Sequence, residues 1–432
     1  MGIIETYKFY FGMGLKDKIR SIIMSKTIDS KNRTIGIEEE CIIYDKSDNR
    51  LPVNRGNKFS ATDLLNMMNS KSNKNGVYSI EPGGQLEWSS PPFSNIHQIN
   101  SSMNIHKKVL NKIIKKKKLK ILDCSVEPVF DPKEIDLIDH LKYQLMDKNM
   151  AKVDTLGRWM MRNTASIQIN YDFENESELE DMVFIADCIQ PVSSYLFSNA
   201  PFWNNRAVSN ENIRYLIWEK TDKYRCRNLI DHGIVEPKGI VDKYIDFMLN
   251  VPGIFGFDKN GDICSVVGTL GERLQYLKKN NCLRDLDIQG ALHQIFTNVR
   301  LKNLIEVRGA DRAPFGYELA PVAFWTGLLT VAEIRDEVLS TILTWNIEER
   351  LSWNSTARYL DDSTIGPEGK SYYHWNKWAG ELALKGLEKR GLGEEKYFCD
   401  YFDIVLTDGP FSLQKQKDFE KKKKSLLESV LA

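Results

Sequence analysis

IEPGGQLEWSSPP, residues Ile80 to Pro92, sets two carboxylates, an amide and a paired glycine turn within thirteen residues that otherwise have strand character. Glu81 ends a short extended run, and Pro82, Gly83 and Gly84 supply a turn: proline fixes φ near the value a turn needs, and glycine permits φ above zero. Beyond the turn, Gln85, Glu87 and Ser89 alternate with Leu86 and Trp88, so a strand here has one polar and one apolar face. Any half-exposed strand alternates in this way, but here the pattern recurs. GIEEECII from Gly36 puts Glu38 and Glu40 opposite Ile37, Glu39, Cys41 and Ile43. ASIQINYDF from Ala165 puts Ser166, Gln168 and Asn170 opposite Ala165, Ile167, Ile169 and Tyr171, and NLIEVRG from Asn303 puts Leu304, Glu306 and Arg308 opposite Ile305 and Val307. Such a set of strands predicts a sheet that packs with one face and lines a site with the other.

The 432 residues, 42% of them hydrophobic and 10% aromatic, suffice for a large core and a folded chain. The 59 basic and 59 acidic residues cancel, which argues against a nucleic-acid partner. No window reaches the ~18 to 20 uncharged apolar residues of a membrane span; Leu319 to Ala332, interrupted by Pro321 and Gly327, reads as a buried helix. The N-terminal run carries Glu5 early and lacks a basic start followed by an apolar stretch, so no secretory signal and a cytoplasmic location are expected. Seven cysteines without CxxC or CxH spacing fit reduced core thiols better than disulfides or zinc.

No repeat or linker divides the chain, and a single domain over 1–432 is expected, with an N-terminal helix in about the first 33 residues and a helical region from 319 onward. Helical spacing predicts covering helices over Ile96 to Ile114 and Glu174 to Ser198, with Lys115 to Lys118 at the end of the first. A strand is expected over Leu119 to Phe130, with Asp123, Ser125 and Glu127 on one face. The Asp258 to Asp262 turn, DKNGD, opens like a calcium loop but lacks the closing Glu, and reads as a plain turn. Lys415 to Leu431 reads as an exposed terminal helix.

Glu38, Glu40, Glu81, Glu87, Gln168 and Glu306 brought together would repel one another unless cations sat among them. Hard oxygen ligands suit Mg²⁺ or Mn²⁺. Magnesium commonly bridges carboxylates and nucleotide phosphates, which makes ATP the natural partner, and Arg308 would then stabilise charge on a transferring phosphoryl group. There is no GxxxxGK[ST], GxGxxG or GxSxG, so any nucleotide must be held by the sheet itself. A glycoside hydrolase needs only two carboxylates and leaves the amide and arginine unexplained.

The segments GIEEE at Gly36, EPGGQLEWSS at Glu81, MMRNTASIQINYDF at Met160, SNAPF at Ser198, IRYLIWEKTDKYR at Ile213 and VRLKNLIEVRGAD at Val299 together resemble the glutamate–cysteine ligases of plant and proteobacterial type. The resemblance implies an α+β fold, a glutamine synthetase-like antiparallel sheet funnel covered by helices. It also implies ATP-dependent joining of the γ-carboxylate of glutamate to the amine of cysteine through an acyl phosphate, the first step of glutathione synthesis. It makes Glu38, Glu40, Glu81, Glu87, Gln168 and Glu306 magnesium ligands or their neighbours and Arg308 the phosphate stabiliser. Arg225, Arg300, Asn170 and Trp218 become contacts to glutamate or nucleotide. Its partners are small molecules, with a monomer or homodimer expected. The family pattern has arginine directly before the threonine of the Gln168 strand; this chain has Asn163 there and Arg162 one place earlier. Ligases of ergothioneine synthesis, ligases using another amine, and a catalytically silent glutamate- or nucleotide-binding relative are the alternatives.

Overall fold

The computed structural model describes residues 13–71, 75–422 and 425–432. Its centre is a six-stranded sheet built from β1 (Ile35–Cys41), β2 (Val77–Ile80), β3 (Leu86–Ser89), β4 (Ser166–Tyr171), β5 (Val299–Leu301) and β6 (Ile305–Asp311), in the order β5-β6-β4-β1-β3-β2. Every neighbouring pair is antiparallel. The expected α+β fold, an antiparallel sheet under helices, is the one observed.

Register turns the alternation in the sequence into two faces. Glu38 lies opposite both Gln168 and Ser89, Glu40 opposite Glu87, and Glu306 opposite both Asn170 and Arg300. Because side chains alternate with period two, Ile37, Trp88, Ile167, Ile169 and Val307 fall on the other face, and all are buried.

The apolar face is covered by helices. The helix α1 (Ile96–Lys117) starts at Asn95, whose side chain accepts from the Gln98 N–H, and ends at Lys118 in the left-handed region, with Lys115, Lys116 and Lys117 in its last turn. Cations there suit the helix dipole. It buries Ile96, Ile99, Met103, His106, Leu110 and Ile113. His106 stacks on Trp88 at 4.8 Å between ring centres and 3° between planes, and its Nδ1 meets the Tyr78 hydroxyl at 3.0 Å. Glu39, the carboxylate on this face, faces the Arg312 guanidinium at 3.4 Å and His106 at 3.8 Å.

The predicted covering helix over Glu174 to Ser198 is two helices, α2 (Glu176–Cys188) and α3 (Gln190–Leu196), broken at Ile189 just before Pro191. The buried helix expected at Leu319 to Ala332 is α4 (Ala320–Leu329), and a second helix, Ala332–Ile342, follows it. All ten residues of α4 are buried. It packs against α5 (Tyr372–Arg390) so closely that a Cβ on Gly327 would lie 2.0 Å from the Ala383 carbonyl oxygen. The Tyr171 hydroxyl lies 3.0 Å from Thr326 Oγ1, tying the sheet to this layer.

Two expectations change in detail. Leu119 to Phe130 pairs as a strand only at Lys120–Ile121. Beyond it the backbone ties to separated segments, Ser125 to Asn199 and Glu127 to Asn163. The terminal helix is Phe411–Lys422 followed by Leu426–Val430. The DKNGD segment is a plain turn, in which Asp258 accepts from the Asn260 and Asp262 N–H groups. All seven cysteines are free thiols. Among the described residues no helix is long and apolar enough to cross a membrane.

Burial, reinforced by the charges of Lys107 and Arg312, lowers His106 from 6.5 to about 3. The unfolded chain therefore binds a proton below pH 6.5 that the folded one refuses, and this imidazole makes stability fall as pH drops from 6.5 towards 3. Denaturant titrations between pH 7 and 5 are expected to show the wild type losing stability relative to His106→Phe by at most about 1.4 kcal/mol per pH unit. Parallel pH profiles would contradict it.

Candidate functional site

The turn from the opening stretch holds the site's rim. Gly84 has φ of +84° and its N–H donates to the Glu81 carbonyl at 2.9 Å. Gly83 has no room for a side chain, since a Cβ would lie 2.3 Å from the Arg162 carbonyl oxygen. Gln85 fastens the turn: its Oε1 accepts from the Gly83 N–H at 3.0 Å and its Nε2 donates to the Thr164 carbonyl at 2.8 Å. Glu81 is thereby set beside the polar face of the sheet.

On that face Asn170 Nδ2 donates to Glu38 at 3.0 Å, and Gln168 Nε2 donates to Glu40 at 2.9 Å. The Ser166 N–H donates to the other Glu40 oxygen at 2.8 Å, and the Ser79 hydroxyl donates to Glu87 at 2.7 Å. Strand β6 shifts register between Val307 and Ala310, and Arg308 reaches back from this bulge to donate to Gln168 and, at 3.0 Å, to Glu306.

The carboxylates divide into two electrostatic groups. Burial and the Glu87 charge raise Glu40 to about 7; burial and Glu40 raise Glu81 to about 7; burial and Glu81 raise Glu87 to about 8. Buried like charges without enough counter-charge keep protons. Glu306 behaves oppositely. Burial works against its charge, but Arg300, Lys302 and Arg308 hold it well below its ordinary 4.5. Arg300 grips it by two bonds of 2.6 and 2.9 Å, and Lys302 stands at 3.1 Å.

Glu38, Glu40, Glu87, Gln168, Asn170, Glu306 and Arg308 thus share one face, with Glu81 beside it. Trp218 joins them: the guanidinium groups of Arg308 and Arg214 lie 5.7 and 5.8 Å from its ring centre, and its indole N–H is buried without a partner. Arg225 does not join. It is wholly buried, with Nε on Asp222 at 2.6 Å and its other nitrogens on the Gln294 and Pro252 carbonyls. Arg300 is likewise taken up by Glu306 and by the His293 and Ile295 carbonyls. These two arginines, expected at substrate, are engaged inside the protein.

Arg162 does not substitute for the family arginine. It turns to the Pro132 and Ile135 carbonyls, each at 2.9 Å, and to Asp147 at 2.6 Å. Asn163 is fully buried and donates to the Phe130 carbonyl at 2.7 Å.

Two cations were not singled out from the sequence. Arg214 sits one helical turn before Trp218 on Ile213–Glu219 and donates to the Arg308 and Gly309 carbonyls. Its i, i+4 spacing to Trp218 is the signal that would have found it. Lys142 lies near the start of helix Leu141–Val153, with its ammonium 5.0 and 5.6 Å from the Tyr143 and Phe255 ring centres. Burial lowers its pKa, while the nearby Glu81 charge raises it. No local motif marks it.

Among the described residues no three His, Cys, Asp or Glu side chains stand so as to hold a metal ion by themselves. Magnesium, however, usually takes one or two protein carboxylates and completes its shell with water and substrate phosphate. Glu40, Glu81 and Glu87 are buried carboxylates that push one another's pKa upward, and the chemistry of this oxygen donor set fits such an ion.

Residues 34–405 match the model of glutamate-cysteine ligase family 2. The chloroplastic glutamate–cysteine ligase of Medicago truncatula is 30% identical over 347 residues, covering 79% of this chain and 67% of that one. The Arabidopsis thaliana enzyme of the same name is 30% identical over 334 residues, covering 76% and 63%. The chain spans about two thirds of the length of these curated relatives. A crystal structure of glutamate–cysteine ligase from Francisella tularensis in complex with AMP superposes with a TM-score of 0.58 over 92% of this chain and 86% of that one. At 12% identity the likeness is one of fold.

Gly83→Ala is expected to cost about 1 to 3 kcal/mol, because the added methyl must push the Arg162 backbone aside. Urea denaturation checks this; an unchanged midpoint would show that the turn does not depend on the close approach.

Proposed function

Because the chain belongs to glutamate-cysteine ligase family 2, we propose that it joins the γ-carboxylate of glutamate to the amine of cysteine at the expense of ATP. A γ-carboxylate oxygen attacks the terminal phosphorus and ADP leaves. The amine then attacks the acyl carbon, inorganic phosphate departs, and the amine gives up its proton. The observation that carries this reading is the convergence of Glu38, Glu40, Glu87 and Gln168 with Arg308 on one sheet face. Such chemistry needs no covalent nucleophile, only positioning and positive charge at the phosphoryl group.

Glu40, Glu81 and Glu87, with Glu38 and Gln168 beside them, are the residues that would hold Mg²⁺, whose charge would neutralise phosphate oxygens as ATP binds. Glu306 takes a different part from the other carboxylates. Both of its oxygens face cations, so it orients Arg308. Arg308, beside the Trp218 ring, supplies positive charge for the phosphoryl group, while Arg214, buried near Asp311 and bonded to the Arg308 and Gly309 carbonyls, holds that strand in place. Lys142, near Glu81 and Glu87, adds a further cation to the carboxylate group.

The buried, neutral Asn163 stands where the family pattern has arginine, so amine or carboxylate recognition differs here from that pattern. Release of ADP and phosphate from Mg²⁺, ATP and glutamate is expected to be cysteine-selective, with γ-glutamylcysteine as product. Equal or greater release with another amine would transfer the assignment to that acceptor, and silence with every amine would contradict a ligase. Arg308→Met is expected to lower turnover about 100-fold or more, as removal of one preorganised charge donor does elsewhere. An effect on KM alone would place Arg308 in uniform substrate binding.

A further inference from the structure

Glu81 is held differently from the carboxylates around it. Glu38, Glu40 and Glu87 stand on paired strands, and each accepts a hydrogen bond: Glu38 from Asn170, Glu40 from Gln168 and the Ser166 N–H, Glu87 from Ser79. Glu81 follows the end of β2, and among the described residues its carboxylate takes no hydrogen bond. Its place is therefore set by its backbone, and so by the turn from Pro82 to Gly84.

A buried cation holds that turn from a distant segment. Arg50 is bridged by its backbone to Tyr44, and its side chain, 6% exposed, reaches three separate stretches of chain. Nη1 donates to Glu127 at 2.9 Å, and Nη2 donates to the Gly83 carbonyl at 2.8 Å and to the Arg162 carbonyl at 3.3 Å. The guanidinium thus spans the close approach of Gly83 to the Arg162 backbone. Glu127 is wholly buried and gives it a fixed backing, since its other oxygen accepts from the Tyr44 hydroxyl and from the Val129 and Phe130 N–H groups at 3.1 and 3.3 Å. Neutralising Glu127 alone would need only a positive charge. Bonding a carboxylate and two carbonyls in set directions needs the planar fork of arginine.

We propose that Arg50 is a positioning residue for divalent-cation binding: through the Gly83 carbonyl it fixes the turn that carries Glu81. It acts through Glu81 rather than on substrate, and the inference rests on the reading of Glu81 as a residue that would hold Mg²⁺.

Electron paramagnetic resonance of Mn²⁺ titrated into the intact protein, without nucleotide, tests the proposal. Arg50→Lys keeps a positive charge beside Glu127 but loses the fork, and is expected to weaken Mn²⁺ binding about 10- to 100-fold, as loss of a group that orients a metal ligand does elsewhere. Glu81→Gln is expected to weaken binding in the wild type and to cost little more in the Arg50→Lys background, because both changes remove the contribution of one carboxylate. A purely structural arginine would give independent losses that multiply. Should Arg50→Lys not fold, Arg50→Gln/Glu127→Gln, which removes the buried pair together, takes its place with the same expectation. Mn²⁺ affinity unchanged in the folded variant, or losses that multiply in full, overturns the proposal and leaves the ligase reading standing. Absence of Mn²⁺ binding to the wild type overturns both.

Discussion

The repulsion among Glu40, Glu81 and Glu87 is the constraint on which the site depends. Burial together with each other's charge raises all three to about 7 or 8, so near neutral pH the protein alone does not keep them all ionised. A sheet that served only to fold would gain by replacing them with apolar side chains, since desolvated charge without a partner is among the costliest features of an interior. The fold instead fixes them in register, Glu40 opposite Glu87 and Glu38 opposite Gln168. The apolar face, closed by α1 and tied to α4, supplies the stability that permits such an arrangement on the other side.

Against this group stands its electrostatic complement. Arg300, Lys302 and Arg308 gather on the single carboxylate of Glu306, and Arg308 and Arg214 flank the Trp218 ring. The polar face therefore has an end short of positive charge and an end rich in it. A polyanion carrying divalent cations matches both ends at once, the cations against the carboxylates and phosphate oxygens towards the arginines. This separation of charge along the sheet is the physical basis of the ligase assignment.

Alternation was the legible part of the sequence, because a strand's period of two assigns each residue to a face without knowledge of its neighbours. Glu38, Glu87, Gln168 and Arg308 fall where alternation places them, and so does Glu39, on the apolar face with Arg312. What depends on contacts far apart in sequence was not legible. Asp123, Ser125 and Glu127 alternate like strand residues, but they tie to separate parts of the chain: Asp123 to Lys415, Ser125 to Asp311, and Glu127 to Tyr44 and Arg50. Arg225 lies in a segment that resembles the family, yet Asp222 beside it and carbonyls about 70 and 27 residues away take up its donors. Lys142 reaches the site from a helix whose sequence carries no sign of it.

Anomalous diffraction from crystals grown with Mn²⁺ and a non-hydrolysable ATP analogue tests the central claim most directly. The account predicts manganese peaks within bonding distance of Glu40, Glu81 or Glu87, with the nucleotide phosphates between them and Arg308. Manganese absent from that sheet face while the nucleotide is bound elsewhere would contradict it.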